Sequence, residues 1–85
     1  MPYWVYILRS ESTGRYYVGH THNLEDRLRR HNEGRTEAIK SRGPWWIAYW
    51  QEFPTRQAAA ARERAIKNQK SRKYIEILCS RSPVG

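Results

Sequence analysis

The chain has 85 residues, a length that fits one small domain with a single modest core. Sixteen lysine and arginine residues oppose eight aspartate and glutamate residues, so the formal net charge is +8. A domain this basic is expected to bind a polyanion, with nucleic acid as the leading candidate. An anionic membrane is a poor alternative, because the best candidate basic helix carries mostly alanine and lacks the bulky apolar residues that insertion needs.

The cysteine content and the amino-terminal sequence bear on the cellular compartment. Cys79 is the single cysteine, so no disulfide within the chain and no cysteine metal cluster is expected. The first residues, MPYWVYILRS, lack the charged region of a signal peptide, and no segment approaches the length of a membrane span. We therefore expect a cytoplasmic protein with no membrane partner, folded as one domain over residues 1–85.

The first half of the chain predicts a hairpin followed by a helix. The apolar run YWVYIL indicates a buried strand over residues 3–8, and RYYVGH indicates a second strand over residues 15–20. The turn residues between them end at Gly14. Thr21 or Asn23 can cap the next helix, which should end near Asn32 with Gly34 as its left-handed stop.

The second half predicts one more strand and two helices. WWIAYWQEF indicates a third strand over residues 45–53. A long helix should begin at Pro54 and Thr55 and run to about Lys70, and a short helix capped by Ser71 should follow. The resulting order, β-β-α-β-α-α, is typical of a small α+β fold.

Arg27 and His31 are unexpected among the apolar residues of the first helix. At 100° per residue, both fall with Leu24 and Leu28 inside an arc of about 100°. A structural interpretation is that the arginine extends into solvent from the edge of the apolar stripe, and that the histidine in the last turn interacts favourably with the helix dipole. A functional interpretation is that an arginine fork binds phosphate while a neighbouring imidazole moves a proton.

Glu63 is unusual because it is the single carboxylate within residues 54–73. Its structural role would be an ion pair with Lys67 one turn later, worth roughly 0.3–0.5 kcal/mol. A lone carboxylate among cations is also what a hydrated Mg²⁺ site on nucleic acid requires, because Mg²⁺ commonly binds through one or two carboxylates plus waters and phosphates. The cations of this segment are Arg56, Arg62, Arg64, Lys67, Lys70, Arg72 and Lys73.

Several motifs, in order, resemble a known family. These are WVY at residues 4–6, YVG at residues 17–19, NLEDRL leading to His31, PWWIAYWQEF, and ARERAIKNQKSRKYIEIL. From Tyr3 to Leu78 the sequence resembles small single-domain bacterial members of the GIY-YIG nuclease superfamily. The resemblance implies a three-stranded antiparallel sheet flanked by helices, and phosphodiester hydrolysis that uses one divalent ion, Mg²⁺ or Mn²⁺.

Carried over position by position, the resemblance also implies the site residues. The implied catalytic residues are Tyr6, Tyr17, Arg27, His31 and Glu63. Glu63 would be the metal ligand and Gly19 the closing glycine of the second motif. Which of Tyr6, Tyr17 and His31 takes the proton is left open by the sequence, with Tyr6 slightly favoured.

The sequence departs from the family pattern at two points. Trp4 stands in place of the first glycine of the name, and the strand can absorb this change. Larger members often have an asparagine well after the glutamate, and Asn68 comes too soon to match it.

The expected function is therefore metal-dependent hydrolysis of DNA, in DNA repair or recombination, with little sequence preference or with preference for a DNA structure. Lys67, Lys70, Arg72 and Lys73 would bind phosphates without reading bases. Specificity from a protein partner is an alternative, because the chain has no room for a recognition domain. Two other functions are open: a non-catalytic nucleic-acid-binding module of the same fold, and a structural or protein-interaction domain. RNA is not excluded as the substrate.

Overall fold

The computed structural model describes residues 2–33 and 44–81. Within these ranges the elements are strands β1 (Tyr3–Ser10) and β2 (Tyr16–Thr21), helix α1 (Leu24–Asn32), strand β3 (Trp45–Phe53), and helices α2 (Arg56–Asn68) and α3 (Arg72–Ser80). The predicted α+β class and the order β-β-α-β-α-α are confirmed. The predicted helix stop at Gly34 lies outside the described residues. In the described ranges, no helix has both the length and the apolar character needed to cross a bilayer.

The sheet has β1 in the centre, antiparallel to β2 on one side and β3 on the other. The continuous apolar run of β1 is explained by burial on both faces. Val5 and Ile7 face α2 and α3, whereas Tyr6 and Leu8 face α1. One strand therefore separates two small cores.

A β-bulge in β3 distributes aromatic residues between these cores. Ile7 pairs with Tyr49 and Leu8 pairs with Ile47, so Ala48 is the extra residue. Because strand side chains alternate, the extra residue reverses which positions face which layer. Trp45 and Ile47 pack on the α1 side, while Tyr49 packs on the α2 side.

Side-chain caps fix the start of each helix. The Asn23 Oδ1 accepts a hydrogen bond from the backbone N–H of Asp26 at 3.0 Å, so Asn23 rather than Thr21 caps α1. Ser71 caps α3 in the same way, as predicted. Thr55 caps α2, so this helix begins at Arg56 and not at Pro54 and Thr55 as predicted. Such caps satisfy backbone donors that a helix leaves unpaired, and each stabilises the fold by about 1 kcal/mol.

The carboxyl ends of two helices determine where site residues lie. The Asn32 side chain accepts a hydrogen bond from the Trp45 backbone N–H at 2.6 Å and donates one to the Trp45 carbonyl at 3.1 Å. This pair ties the end of α1 to the start of β3 and so anchors the adjacent His31. Helix α2 ends at Asn68, two residues before the predicted end, and Lys70 then adopts a left-handed backbone with φ of 50°.

Candidate active site

Two tyrosines and a histidine form a cluster between the sheet and α1. Tyr6 on β1 lies opposite Gly19 on β2, and Tyr17 is on the same face of β2 as Gly19. The His31 ring contacts this pair from α1, with its centroid 4.5 Å from that of Tyr17 and 6.3 Å from that of Tyr6. A Cβ at Gly19 would lie 2.6 Å from the Tyr6 hydroxyl oxygen. The glycine is therefore what allows the Tyr6 hydroxyl to lie over the backbone of β2.

Tyr6 is a neutral phenol in this environment. Its side chain is almost completely buried, and only 2% of the residue is exposed. Burial raises the pKa of Tyr6 above its ordinary range, Tyr17 raises it further, and the charge of Arg27 only partly opposes this. A phenolate is therefore costly here. The hydroxyl is better suited to donate a hydrogen bond than to act as the resting base that the sequence slightly favoured.

His31 has the properties of a proton acceptor. Its Nδ1 lies 2.9 Å from the backbone oxygen of Arg27, and because a carbonyl only accepts, Nδ1 carries the proton. Burial lowers the pKa of His31, and the Arg27 charge adds to this against the opposing effect of the hydrogen bond. The ring is thus neutral near pH 7, with the lone pair on Nε2. This buried Nε2 has no hydrogen-bond partner among residues 2–33 and 44–81.

Arg27 lines a pocket of about 370 Å³ at the end of β2, which we call the arginine pocket. Its lining contains two arginines, two imidazoles and two hydroxyl-bearing side chains, and no carboxylate. The guanidinium of Arg56 lies 5.5 Å from the centre of the Tyr3 ring on its wall. This composition is suited to a phosphate group. The lining residues are Tyr3, His20, Thr21, His22, Arg27 and Arg56.

Glu63 lies on the opposite face of β2 from the tyrosine cluster. Its Oε1 is 2.6 Å from Nδ1 of His20, and its Oε2 accepts a hydrogen bond from Nζ of Lys67 at 2.7 Å. Burial by itself raises the pKa of Glu63, but the hydrogen bonds and charges of Lys67 and His20 outweigh it and leave the pKa lowered. Glu63 is therefore ionised at neutral pH.

The sequence anticipated one partner of Glu63 and missed the other. The ion pair with Lys67 follows from their spacing on α2. His20 follows Gly19 on β2, so strand alternation turns its side chain toward α2. That alternation was a signal available in the sequence, although it does not say which helical residue His20 meets.

The donor set fits one hard divalent ion better than a site with many protein ligands. The described part of the chain contains no group of three or more His, Cys, Asp or Glu side chains able to hold a metal. Glu63 supplies one ionised carboxylate, and Mg²⁺ characteristically keeps several waters and binds substrate phosphates. Glu63 is accordingly the residue that would hold Mg²⁺ or Mn²⁺. To do so, one of its carboxylate oxygens would exchange its hydrogen bond with Lys67 or His20 for the ion.

Three of the four predicted phosphate-binding cations surround a second pocket, of about 500 Å³, which we call the apolar groove. Its floor contains Tyr16, Val18, Ile66 and Ile75, and its rim contains Lys67, Lys70 and Arg72. Tyr17 also lines it, although its ring lies in the tyrosine cluster on the other face of β2. Lys73 is exposed on α3 and does not line the groove.

Residues 2–75 match a family described as the GIY-YIG catalytic domain. The chain belongs to the GIY-YIG family. Residues 4–6 and 17–19, which the sequence predicts to match the family's two half-motifs, lie on β1 and β2, two adjacent antiparallel strands.

Individual proteins and a solved structure are also similar to this chain. A UPF0213 protein of Clostridium perfringens is 32% identical over 80 residues, which cover 93% of this chain and 85% of that protein. The structure-specific endonuclease subunit SLX1 of Meyerozyma guilliermondii is 38% identical over 80 residues, but these are 86% of this chain and only 27% of that protein. The solution NMR structure of a UPF0213 protein from Bacillus halodurans superposes with a TM-score of 0.59 at 31% identity, covering 94% of this chain and 84% of that one.

Proposed function

We propose that this chain is a metal-dependent endonuclease that hydrolyses DNA phosphodiester bonds. The observation that carries the proposal is the pairing of a neutral imidazole with an ionised carboxylate across one short strand. His31 presents a buried, unprotonated Nε2 on one face of β2, and Glu63 lies on the other. Phosphodiester hydrolysis needs both a proton acceptor and a site for a divalent ion. Membership of the GIY-YIG catalytic domain family supports the same reaction class.

The tyrosine cluster would activate water in this scheme. The Nε2 of His31 would take a proton from the attacking water, because the lowered pKa keeps the ring unprotonated at neutral pH and Nε2 has no hydrogen-bond partner within the described residues. The hydroxyls of Tyr6 and Tyr17 would orient that water. Arg27, which lines the neighbouring arginine pocket, donates to a non-bridging phosphate oxygen and stabilises the charge that develops there.

Glu63 would hold the divalent ion, Mg²⁺ or Mn²⁺. When bound, that ion supplies positive charge on the leaving-group side of the phosphate. His20 and Lys67 keep the Glu63 carboxylate ionised and oriented before the ion arrives. Their hydrogen bonds also limit the rotation of the side chain, so less ordering is needed on metal binding.

The substrate would be DNA, bound mainly through its backbone. Lys67, Lys70, Arg72 and Lys73 offer point charges to phosphates, which gives affinity that is sensitive to salt and indifferent to sequence. The similarity to a structure-specific endonuclease subunit supports recognition of a DNA structure over recognition of a sequence. Such an activity would serve DNA repair or recombination, with specificity sharpened by a protein partner.

The decisive experiment replaces Glu63 and follows cleavage of plasmid, branched and single-stranded DNA in Mg²⁺ and in Mn²⁺. Glu63→Gln removes one ligand charge at the border of a helix and should reduce cleavage by about 100-fold or more while the fold is kept. Glu52→Gln is the matched control, because Glu52 is exposed on β3 and lies outside both pockets. Cleavage by Glu63→Gln at the wild-type rate would show that the metal ligand is elsewhere.

A second candidate function is a nucleic-acid-binding module without turnover. It is favoured by the engagement of both carboxylate oxygens of Glu63, and by Asn68, which does not match the asparagine of larger family members. The same experiment separates the two candidates. A binding module shifts every DNA in a gel and cuts none of them in either metal.

A further inference from the structure

The apolar groove has an apolar floor and a basic rim. Phosphate binding is favoured by the basic rim but does not require the apolar floor. The half-buried Tyr16 and Ile75 supply carbon surface in a space of about 500 Å³, above the buried Val18 and Ile66. The guanidinium of Arg72 lies 5.4 Å from the centre of the Tyr16 ring. Apolar, partly aromatic floors are typical of sites for flat organic groups, which lose little by leaving water. A cleft that bound only the DNA backbone would need cations alone.

The cations at the rim indicate that the occupant is part of a polyanion. Lys67, Lys70 and Arg72 all line the groove. Arg72 is held in place by donating to Glu76 at 3.0 Å and to the Gly14 carbonyl at 3.2 Å. Lys70 has no carboxylate partner in the part of the chain that the structure describes. Aromatic floor and basic rim together are the usual combination in sites that bind single-stranded nucleic acid.

The backbone at Lys70 gives a separate indication. Its φ of 50° lies in the left-handed region, which glycine adopts freely and lysine adopts at a cost. Gln69 caps α2, so Lys70 occupies the position where helices most often place glycine. A lysine that is held in this conformation at the rim of a pocket suggests that its ammonium group is needed there.

The groove adjoins the proposed catalytic centre on the α2 side of β2. Tyr17 lies between Tyr16 and Val18 of the floor, but its ring is on the other face of β2, with its centroid 4.5 Å from that of His31. Lys67 lines the groove and donates to the Oε2 of Glu63. A group bound in the groove is therefore adjacent to Glu63, the proposed metal ligand.

We infer that the apolar groove binds one unpaired nucleobase of the substrate strand, next to the scissile phosphate. This inference rests on the proposed function and specifies its substrate: DNA in which at least one strand is unpaired at the cleavage position. A base inside a duplex has both faces stacked and its edge paired, so it must leave the helix before it can enter such a pocket. Intact duplex would bind only through its phosphates.

The first test measures binding without turnover, in EDTA, so it does not depend on cleavage. Fluorescence anisotropy compares a blunt duplex, the same duplex with a single-stranded extension, and the extended duplex with abasic sugars in the extension. The extension should raise affinity, and abasic sugars, which keep every phosphate, should lower it by about tenfold. Equal affinity for the normal and abasic extensions would overturn the inference.

Matched variants locate the effect. Ile75→Gln places a polar group in the floor, whereas Ile77→Gln makes the same change on an exposed part of α3 outside the groove. Ile75→Gln should remove the difference between normal and abasic extensions, and Ile77→Gln should keep it. If both variants discriminate as the wild type does, the base binds elsewhere and the inference fails.

A second pair of variants covers the case in which Ile75→Gln does not fold, as judged by its melting curve. Lys70→Ala and Arg64→Ala each remove one exposed cation, but only Lys70 lines the groove. Lys70→Ala should lower affinity for the extended duplex more than for the blunt duplex, and Arg64→Ala should not. Equal losses would overturn the inference. Failure of the proposed function would instead appear as absence of cleavage while this binding pattern persists.

Discussion

The contact between Gly19 and Tyr6 makes a quantitative prediction for Gly19→Ala. The new Cβ would lie 2.6 Å from the Tyr6 hydroxyl oxygen, 2.8 Å from its Cζ and 3.3 Å from Cε1 of Tyr17, where ordinary contact begins at 3.4 Å. The Tyr6 ring is rigid and buried, so it must shift by roughly 1 Å or force the strands apart. Such overpacking costs about 1–3 kcal/mol, and the strand gains about 0.5–1 kcal/mol from replacing glycine.

The two ranges leave a net destabilisation of about 1 kcal/mol, with an upper bound of about 2.5 kcal/mol. A loss of about 1 kcal/mol lowers the melting temperature of a domain of this size by roughly 4–8 °C. Because the shift displaces a hydroxyl of the proposed site by about 1 Å, cleavage should fall by about 100-fold. Calorimetry and a cleavage assay on the same preparation measure both effects.

A double-mutant cycle with Tyr6→Phe isolates the contact. Tyr6→Phe removes the atom nearest to the new Cβ. The destabilisation of the double variant should therefore be smaller, by about 0.5–1 kcal/mol, than the summed destabilisations of the two single variants. If Gly19→Ala melts at the wild-type temperature and shows no coupling with Tyr6→Phe, the reasoning on this glycine is refuted.

The remaining predictions concern the cations and the imidazole. His31→Leu should keep or raise the melting temperature, because it removes a buried Nε2 without a partner, and should lower turnover by about 100-fold; a destabilised variant with full activity would contradict the catalytic role. Because the folded pKa of His31 is lowered from 6.5, the unfolded chain protonates first, so urea midpoints should fall as pH drops below 6.5 and level off below the folded pKa. His31→Leu should flatten this dependence. Arg27→Met should fold normally, as judged by circular dichroism, and cut about 100-fold more slowly. Replacing both Lys70 and Lys73 by alanine should reduce the slope of log K against log salt by roughly one to two units. An unchanged slope would mean that the DNA backbone contacts other cations.

Local chemistry made most of the fold predictable. Thr55 and Ser71 cap helices because each hydroxyl accepts a hydrogen bond from a backbone N–H only three residues later in the sequence. The early end of α2 was not predictable, because nothing in a lysine side chain indicates a left-handed backbone. The bulge at Ala48 was equally hidden. It is set by pairing with β1, and it decides that Trp45 faces α1 whereas Tyr49 faces α2.

For the site, periodicity predicted that His31 lies on the inner face of α1, where the structure buries it. The partner of Glu63 on its own helix followed from spacing, but His20 did not, because the contact depends on how α2 docks on β2. The raised pKa of Tyr6 was also beyond the sequence, since it arises from burial. Contacts between distant segments, and the electrostatics they create, require the assembled structure.

Strand β1 is shared by both cores, so the proposed activity depends on the formation of both. Tyr6 and His31 depend on the layer between the sheet and α1, whereas Glu63 depends on the layer that α2 forms on the opposite face. Neither layer can open without exposing one side of the central strand. A nascent or partly unfolded chain with one layer formed would hold only half of the proposed machinery, so it would not cut nucleic acid. The proposed activity would therefore require the complete fold.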